Sequence, residues 1–416
     1  MKYLSFLLLS STLLLACSTG KEVKDFHPYD ETWGKQAQEI KIDNIDFDFN
    51  EYRNSNYYEK GAYKFSDVFS KIEYVKLESS EEAYLGEIQK MFVTPNNEFI
   101  FFDENNRSIL RFAPDGKFMN KIGACGHAKQ EFVHPYTIQY DQLSNHVFVA
   151  DREQSCIKEY DLDGKFVKSI NIGYYVDDFG IIDDKYLAVF SGFWTPHRPD
   201  ETAYPIKIHD YEGNLIAQYA PYTFQNKDYD VCSFESHLNS NGTLTCNEHW
   251  SSLVYTFEGS TPKPLYYLNF GDKQIPQSMI KNSTTPVTVD DWLRENEHIE
   301  CDHFYDNPQH IIMQLSNGRS FITYIQDKKD PNHPLIKLFG DNDMYGIASS
   351  NVFELAQNDK MYVLLEPFNL QHLVELLDTN PDYMKRKCGE IKDSDVALLK
   401  DLAGNTNHII QICTLK

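Results

Sequence analysis

One phrase recurs along this chain: "FAPDGKFMNKIG" from Phe112, "YDLDGKFVKSINIG" from Tyr160 and "HDYEGNLIAQYA" from His209. With the turn glycines as markers, Gly116, Gly164, Gly213 and Gly259 stand 48, 49 and 46 residues apart, and "FIFFD" ending at Asp103 and "VFVAD" at Asp151 keep the same beat. Two independent features in step at a period in the forties mark propeller blades, each of which buries its faces against its neighbours.

Each unit reads as four strands. In the first, "IQKMFVT", "EFIFFD", "ILRFAP" and "KFMNKIG" are separated by "PNN", "ENNRS" and the tight turn "DG". Asp-Gly between two apolar runs is a hairpin signal, so the recurring phrase is the turn between the third and outermost strands. Four further units follow, and the sixth, "VFELAQ", "KMYVLLE" and "HIIQICTL", is one strand short. Segment 71–79, "KIEYVKLES", supplies that strand if it pairs with 408–415, which removes the open edge that would invite aggregation. The expected fold is therefore all-β, a six-bladed propeller over residues 61–416. Its excess length sits in insertions near 191–204, 274–297 and 369–402, the last of helical pattern.

The N-terminus reads as a lipoprotein signal over residues 1–16: Lys2, an apolar run from Leu4 to Ala16, then Cys17. The run is short for a membrane span, and Leu14-Leu15-Ala16-Cys17 resembles a bacterial lipobox, which makes Cys17 the lipidated mature end and the lipid the contact with the membrane. Residues 17–60, rich in Lys, Asp, Glu and Asn, read as a polar tether and lead-in.

Lys and Arg number 39 against 62 Asp and Glu, a net charge of −23, which excludes nucleic acid as a main partner because that affinity comes from displaced counterions. Beyond Cys17, seven cysteines lack any zinc-type spacing, and an odd count argues against a full disulfide framework.

The lipobox, the segment "FSDVFSKIEYVKLESSEEAYLGEIQKM", the blade phrases and the closing "NHIIQICTLK" together resemble the six-bladed β-propeller lipoproteins of Gram-negative, gut-type bacteria, a group with NHL-like blades. The resemblance implies the fold and a place at the outer membrane or cell surface, facing the exterior or the periplasm. It implies little about activity. The loop "GACGHAKQEF" departs from the glycine-rich "G-x-G-x-G-P-G-E-[FY]" pattern of such proteins, so no role is carried over to it.

In such a ring the connections between second and third strands share a face with those between blades. That face collects the ligand-binding candidates Arg107, Arg152, Trp194, His197, Arg198, His249 and Trp250, a mixture suited to a glycan, a peptide or a partner protein. In "DDWLRENEHIECDHFYD", the side chains of His298, Glu300 and Asp302 could share one extended face and offer hard-metal or acid/base groups. The preferred reading there is a solvated strand face with Ile299, Cys301 and His303 turned inward. No metal site or cofactor is nominated, and calcium is the cation such carboxylates would suit. Without a GxSxG, HExxH, P-loop or EF-hand pattern, a non-catalytic binding role is expected, the alternative being a lactonase-like hydrolase or a polysaccharide lyase.

Overall fold

The computed structural model describes residues 26–42, 45, 62–191, 202–223, 234–238, 242–276, 295–296, 298–317, 321–337, 339–341, 353–382, 384 and 392–416. It is a six-bladed β-propeller.

Blade 1 runs outward as Ile88–Val93, Phe99–Asp103, Ser108–Phe112 and Phe118–Lys121, each strand antiparallel to the last. Blades 2 to 5 repeat this order from inner strands Pro135–Asp141, Asp178–Ile182, Phe234–Leu238 and Glu300–Asp306. The continuous apolar run of Phe99–Asp103 is wholly buried, since second strands are flanked within the blade and covered on both faces by other blades. The outer strand Phe118–Lys121 alternates half-buried and exposed residues, as a one-sided strand must. Inner strands of adjoining blades lie against one another, from blade 6 to blade 1 and on through blade 5.

The repeated turn has a second cause besides its own geometry. Gly116 adopts φ +83°, and a Cβ there would lie 2.2 Å from the Lys76 carbonyl oxygen, at the end of the preceding blade's outer strand. Gly164 and Gly213 sit the same way against Lys121 and Asn171, so the turn seats each blade on the one before it. Gly259, the fourth marker, has nothing within 4 Å and escapes this constraint.

Closure follows the expected pairing. Phe69–Lys76 is the outer strand of blade 6, antiparallel to Ile409–Leu415 with Ile72 opposite Cys413 and Lys76 opposite Ile409. Helices Pro367–Thr379 and Asp393–Ala403 fill the expected excursion and pack together between the second and third strands of this blade.

The tether reading is corrected for residues 26–42. Gln38–Lys41 adds a fifth, parallel strand to blade 4, with Ile40 opposite Leu268. Phe26 and Trp33 are buried against each other, 5.3 Å between ring centroids, and Phe26 also packs against Tyr219 and Tyr255. Their burial, with that of Ile40 and Ile42, outweighs the polar residues between them. No helix among the described residues is long and apolar enough to cross a membrane. Among the described cysteines, Cys125 is exposed and Cys156, Cys246, Cys301 and Cys413 are buried, all five as free thiols.

Candidate functional site

The inner strands bring polar groups to the centre of the ring. Lys90 of blade 1 reaches Asp178 of blade 3, Nζ to Oδ1 2.8 Å, and Thr137 of blade 2 donates to the same oxygen at 3.3 Å. The ion pair spans from blade 1 to blade 3, which ties three inner strands together.

The residue that follows the second strand of a blade can reach forward to the next blade. In blade 2 this is Arg152, whose guanidinium lies 3.3 Å from the centroid of the Tyr136 ring and donates to Asp177, just before the inner strand of blade 3. Its charge is thereby matched within the protein. In blade 4 the corresponding residue is His249, whose Nδ1 lies 3.7 Å from Glu300 Oε2 on the inner strand of blade 5. One ligand-type atom each from His249, Glu300 and Asp302 falls within 4.8 Å of the others.

Two local devices hold this second group. Asn247 donates through Nδ2 to the Cys301 carbonyl oxygen at 2.7 Å, fastening the second strand of blade 4 to the inner strand of blade 5. The ladder then skips a residue: Cys301 faces Leu315 and His303 faces Gln314, leaving Asp302 as the extra residue of a bulge. Bulges re-aim side chains, and this one frees Asp302 from the ladder. Next to His249, Glu248 is fully enclosed, accepts a hydrogen bond from the Tyr255 hydroxyl, and is pushed by burial up to about 8.

The candidates fare differently. Arg152 and His249 each face the next blade, at Asp177 and Glu300, and both are half-buried. Arg107 is exposed at the far end of its turn, at φ +47°, so it occupies a different position from Arg152 within an equivalent loop. Trp250 is buried at φ +60° and presents little surface for a ligand to stack on. Cys17, Trp194, His197 and Arg198 lie outside the described residues. The solvated-face reading of the Asp290 to Asp306 run fails at Glu300, which is buried. Tyr136, Asp177, Asn247 and the Lys90–Asp178 pair were not foreseen. Only the six-blade register, which superposes the loops, could have pointed to Asp177.

A family model described as a domain of unknown function, DUF4934, matches residues 42–414. The chain belongs to the DUF4934 family. No curated protein matches it. Among solved structures, a Bacteroides fragilis protein described as exported is similar to this DUF4934 chain at 13% identity, covering 92% of this chain and 99% of that one with a TM-score of 0.63, which bears out the fold. A DUF4221 protein of Bacteroides vulgatus has 11% identity, 84% and 97% coverage and a TM-score of 0.47. Virginiamycin B lyase of Staphylococcus aureus has 11% identity, 70% and 81% coverage and a TM-score of 0.38.

Proposed function

We propose that this DUF4934 chain is an envelope-anchored binding protein. A lipid on Cys17 holds it at the outer membrane or cell surface, and the loop face of the ring receives a glycan, peptide or partner protein without transforming it. The observation that carries this reading is a pair of polar groups between blades, Arg152 with Tyr136 where blade 2 meets blade 3 and His249 with Glu300 and Asp302 where blade 4 meets blade 5. Aromatic rings, guanidinium, imidazole and carboxylates are the side-chain types that recognise hydroxyl-rich or charged ligands. In sequence, Trp194, His197 and Arg198 fall between the second and third strands of blade 3. The similarity in fold to an exported Bacteroides protein agrees with a place outside the cytoplasm.

A glycan and peptide array tests this. Trp194→Ala should weaken an array hit by about 1 to 3 kcal/mol, the range for one aromatic stacking partner. Wild-type protein that binds nothing on either array overturns the reading. Cys17→Ser should move the protein from the membrane to the soluble fraction, and unchanged fractionation refutes the anchor. The grouping of His249, Glu300 and Asp302 favours a second reading, a propeller hydrolase or lyase, for which turnover of an array hit is the discriminating result.

A further inference from the structure

We propose that His249, Glu300 and Asp302 form a binding site for one divalent transition-metal cation of the Zn²⁺ or Mn²⁺ type. The site bridges blades 4 and 5 at the mouth of the ring, and it stands whether or not the ligand-binding role does.

The first support is chemical. One imidazole and two carboxylates are a donor set that borderline first-row cations accept, whereas calcium and magnesium prefer oxygen alone. The Cys301 thiol is no part of the set, because its hydrogen is directed at the His303 carbonyl oxygen, 3.3 Å away.

The second support is geometric. Donors at about 2.0 to 2.2 Å from a shared ion stand about 3 to 3.5 Å from each other. His249 Nδ1 and Glu300 Oε2 are 3.7 Å apart, and all three donor atoms fall within 4.8 Å, so small side-chain shifts complete the sphere. At 3.7 Å the His249–Glu300 approach is too long for a hydrogen bond.

The third support is the state of Glu300. Its side chain is only 7% exposed, and Oε2 is buried without a hydrogen-bond partner among the described residues. A buried carboxylate oxygen left so is costly, and a cation beside it removes the cost. Asn247 Oδ1, two residues before His249, is likewise buried and without a hydrogen-bond partner among the described residues, while its amide nitrogen holds the Cys301 carbonyl. The backbone between Glu300 and Asp302 is thus fixed by a bond from blade 4.

His249 and Asp302 are half-buried rather than enclosed. Three protein ligands with an open side leave coordination positions for water or for an oxygen of a bound ligand.

The test uses full-length mature protein stripped with chelator and dialysed against ZnCl₂, MnCl₂ or CaCl₂, with bound metal counted by elemental analysis and with visible absorption recorded after CoCl₂ addition. The proposal expects one equivalent of Zn²⁺ or Mn²⁺ per chain, cobalt bands from a site with a nitrogen donor, and no calcium. Glu300→Gln and Asp302→Asn should each weaken binding at least tenfold while circular dichroism stays that of the wild type. If Glu300→Gln fails to fold, Asp302→Asn and the wild-type stoichiometry decide. No bound transition metal at micromolar concentration, or binding unchanged in folded Asp302→Asn, overturns the assignment.

Discussion

Ring closure can be tested with a single substitution. Ile72 lies opposite Cys413 across the two closing strands, and both side chains are buried. In Ile72→Cys a disulfide between positions 72 and 413 would tie together residues at opposite ends of the propeller. Constraining a loop of about 340 residues in the unfolded chain is worth about 5 to 6 kcal/mol on the chain-entropy estimate. Trimming Ile72 removes buried methyl groups and costs about 1 to 2 kcal/mol. The oxidised variant should therefore be more stable than wild type by about 3 to 5 kcal/mol, and the reduced variant less stable by about 1 to 2 kcal/mol. Burial pushes the Cys413 thiol up to about 12, so it hardly ionises in the folded protein and the bond must be formed during refolding under oxidising conditions. Urea unfolding with and without reductant, after peptide mapping confirms the bond, gives both numbers. If the mapped disulfide leaves the unfolding midpoint at or below that of the reduced variant, the two strands do not close the ring as described.

Three further outcomes follow from the packing. Arg111 pairs through Nη2 with Glu98 at 2.9 Å and donates through Nη1 to the Leu162 carbonyl of blade 2 at 3.0 Å. Arg111→Leu should cost about 3 to 5 kcal/mol by stranding Glu98, and adding Glu98→Gln should recover a substantial part; equal instability of the single and double variants in urea would refute the coupling. Phe26→Ala should speed trypsin cleavage of the N-terminal segment at Lys35 and Lys41 relative to wild type; equal cleavage rates would show that the segment is not held on blade 4. Partial desolvation, then hydrogen bonding and repulsion from Asp141, push the Asp184 carboxyl up to about 6, although the residue as a whole is exposed. The folded state then holds this proton more tightly than the unfolded one, so stability falls as pH rises from the ordinary carboxylate range through 6. Asp184→Asn, which also suits the φ of +52° there, should melt about 1 to 2 °C above wild type at pH 7.5, with the gain shrinking below pH 4.5. A gain independent of pH in differential scanning calorimetry would remove the carboxylate pair as its cause.

The first blades were legible because blades 1 to 3 make the same turn against their predecessors, which forces a glycine with positive φ at Gly116, Gly164 and Gly213 and stamps the period on the sequence. Closure was legible because an incomplete blade at one end and an unassigned strand at the other have one mutual solution. The N-terminal segment was not, since Phe26 and Trp33 stand singly among polar residues and the Ile40/Ile42 alternation is too short to read as a strand, and only the surface of blade 4 gives them a common purpose. Sequence placed Arg152, His249 and Trp250 in the right connections but could not orient them. The backbone turn that aims His249 at blade 5 buries the neighbouring Trp250. Glu300 reads as one acid in a polar run until the bulge at Asp302 and the Asn247 tie are known.

Arg152 and His249 occupy the same slot in blades 2 and 4, and the difference between them carries the last prediction. The slot follows the second strand and reaches the next blade's inner strand. In blade 2 a permanent cation fills it and Asp177 is neutralised. In blade 4 an imidazole stands with two acids, one of them buried. His249→Arg should convert the second slot into a copy of the first, because a guanidinium can satisfy Glu300 and Asp302 together through forked bonds. Charge-assisted hydrogen bonds of this kind contribute about 1.5 to 3 kcal/mol, so metal-free His249→Arg should exceed metal-free wild type in urea by up to that amount. The same substitution removes the nitrogen donor and places a cation where one would bind, so added Zn²⁺ should no longer raise the melting temperature. A variant that is less stable than metal-free wild type, or that still responds to Zn²⁺, would show that the two slots are not equivalent and that His249 does not face these acids as drawn.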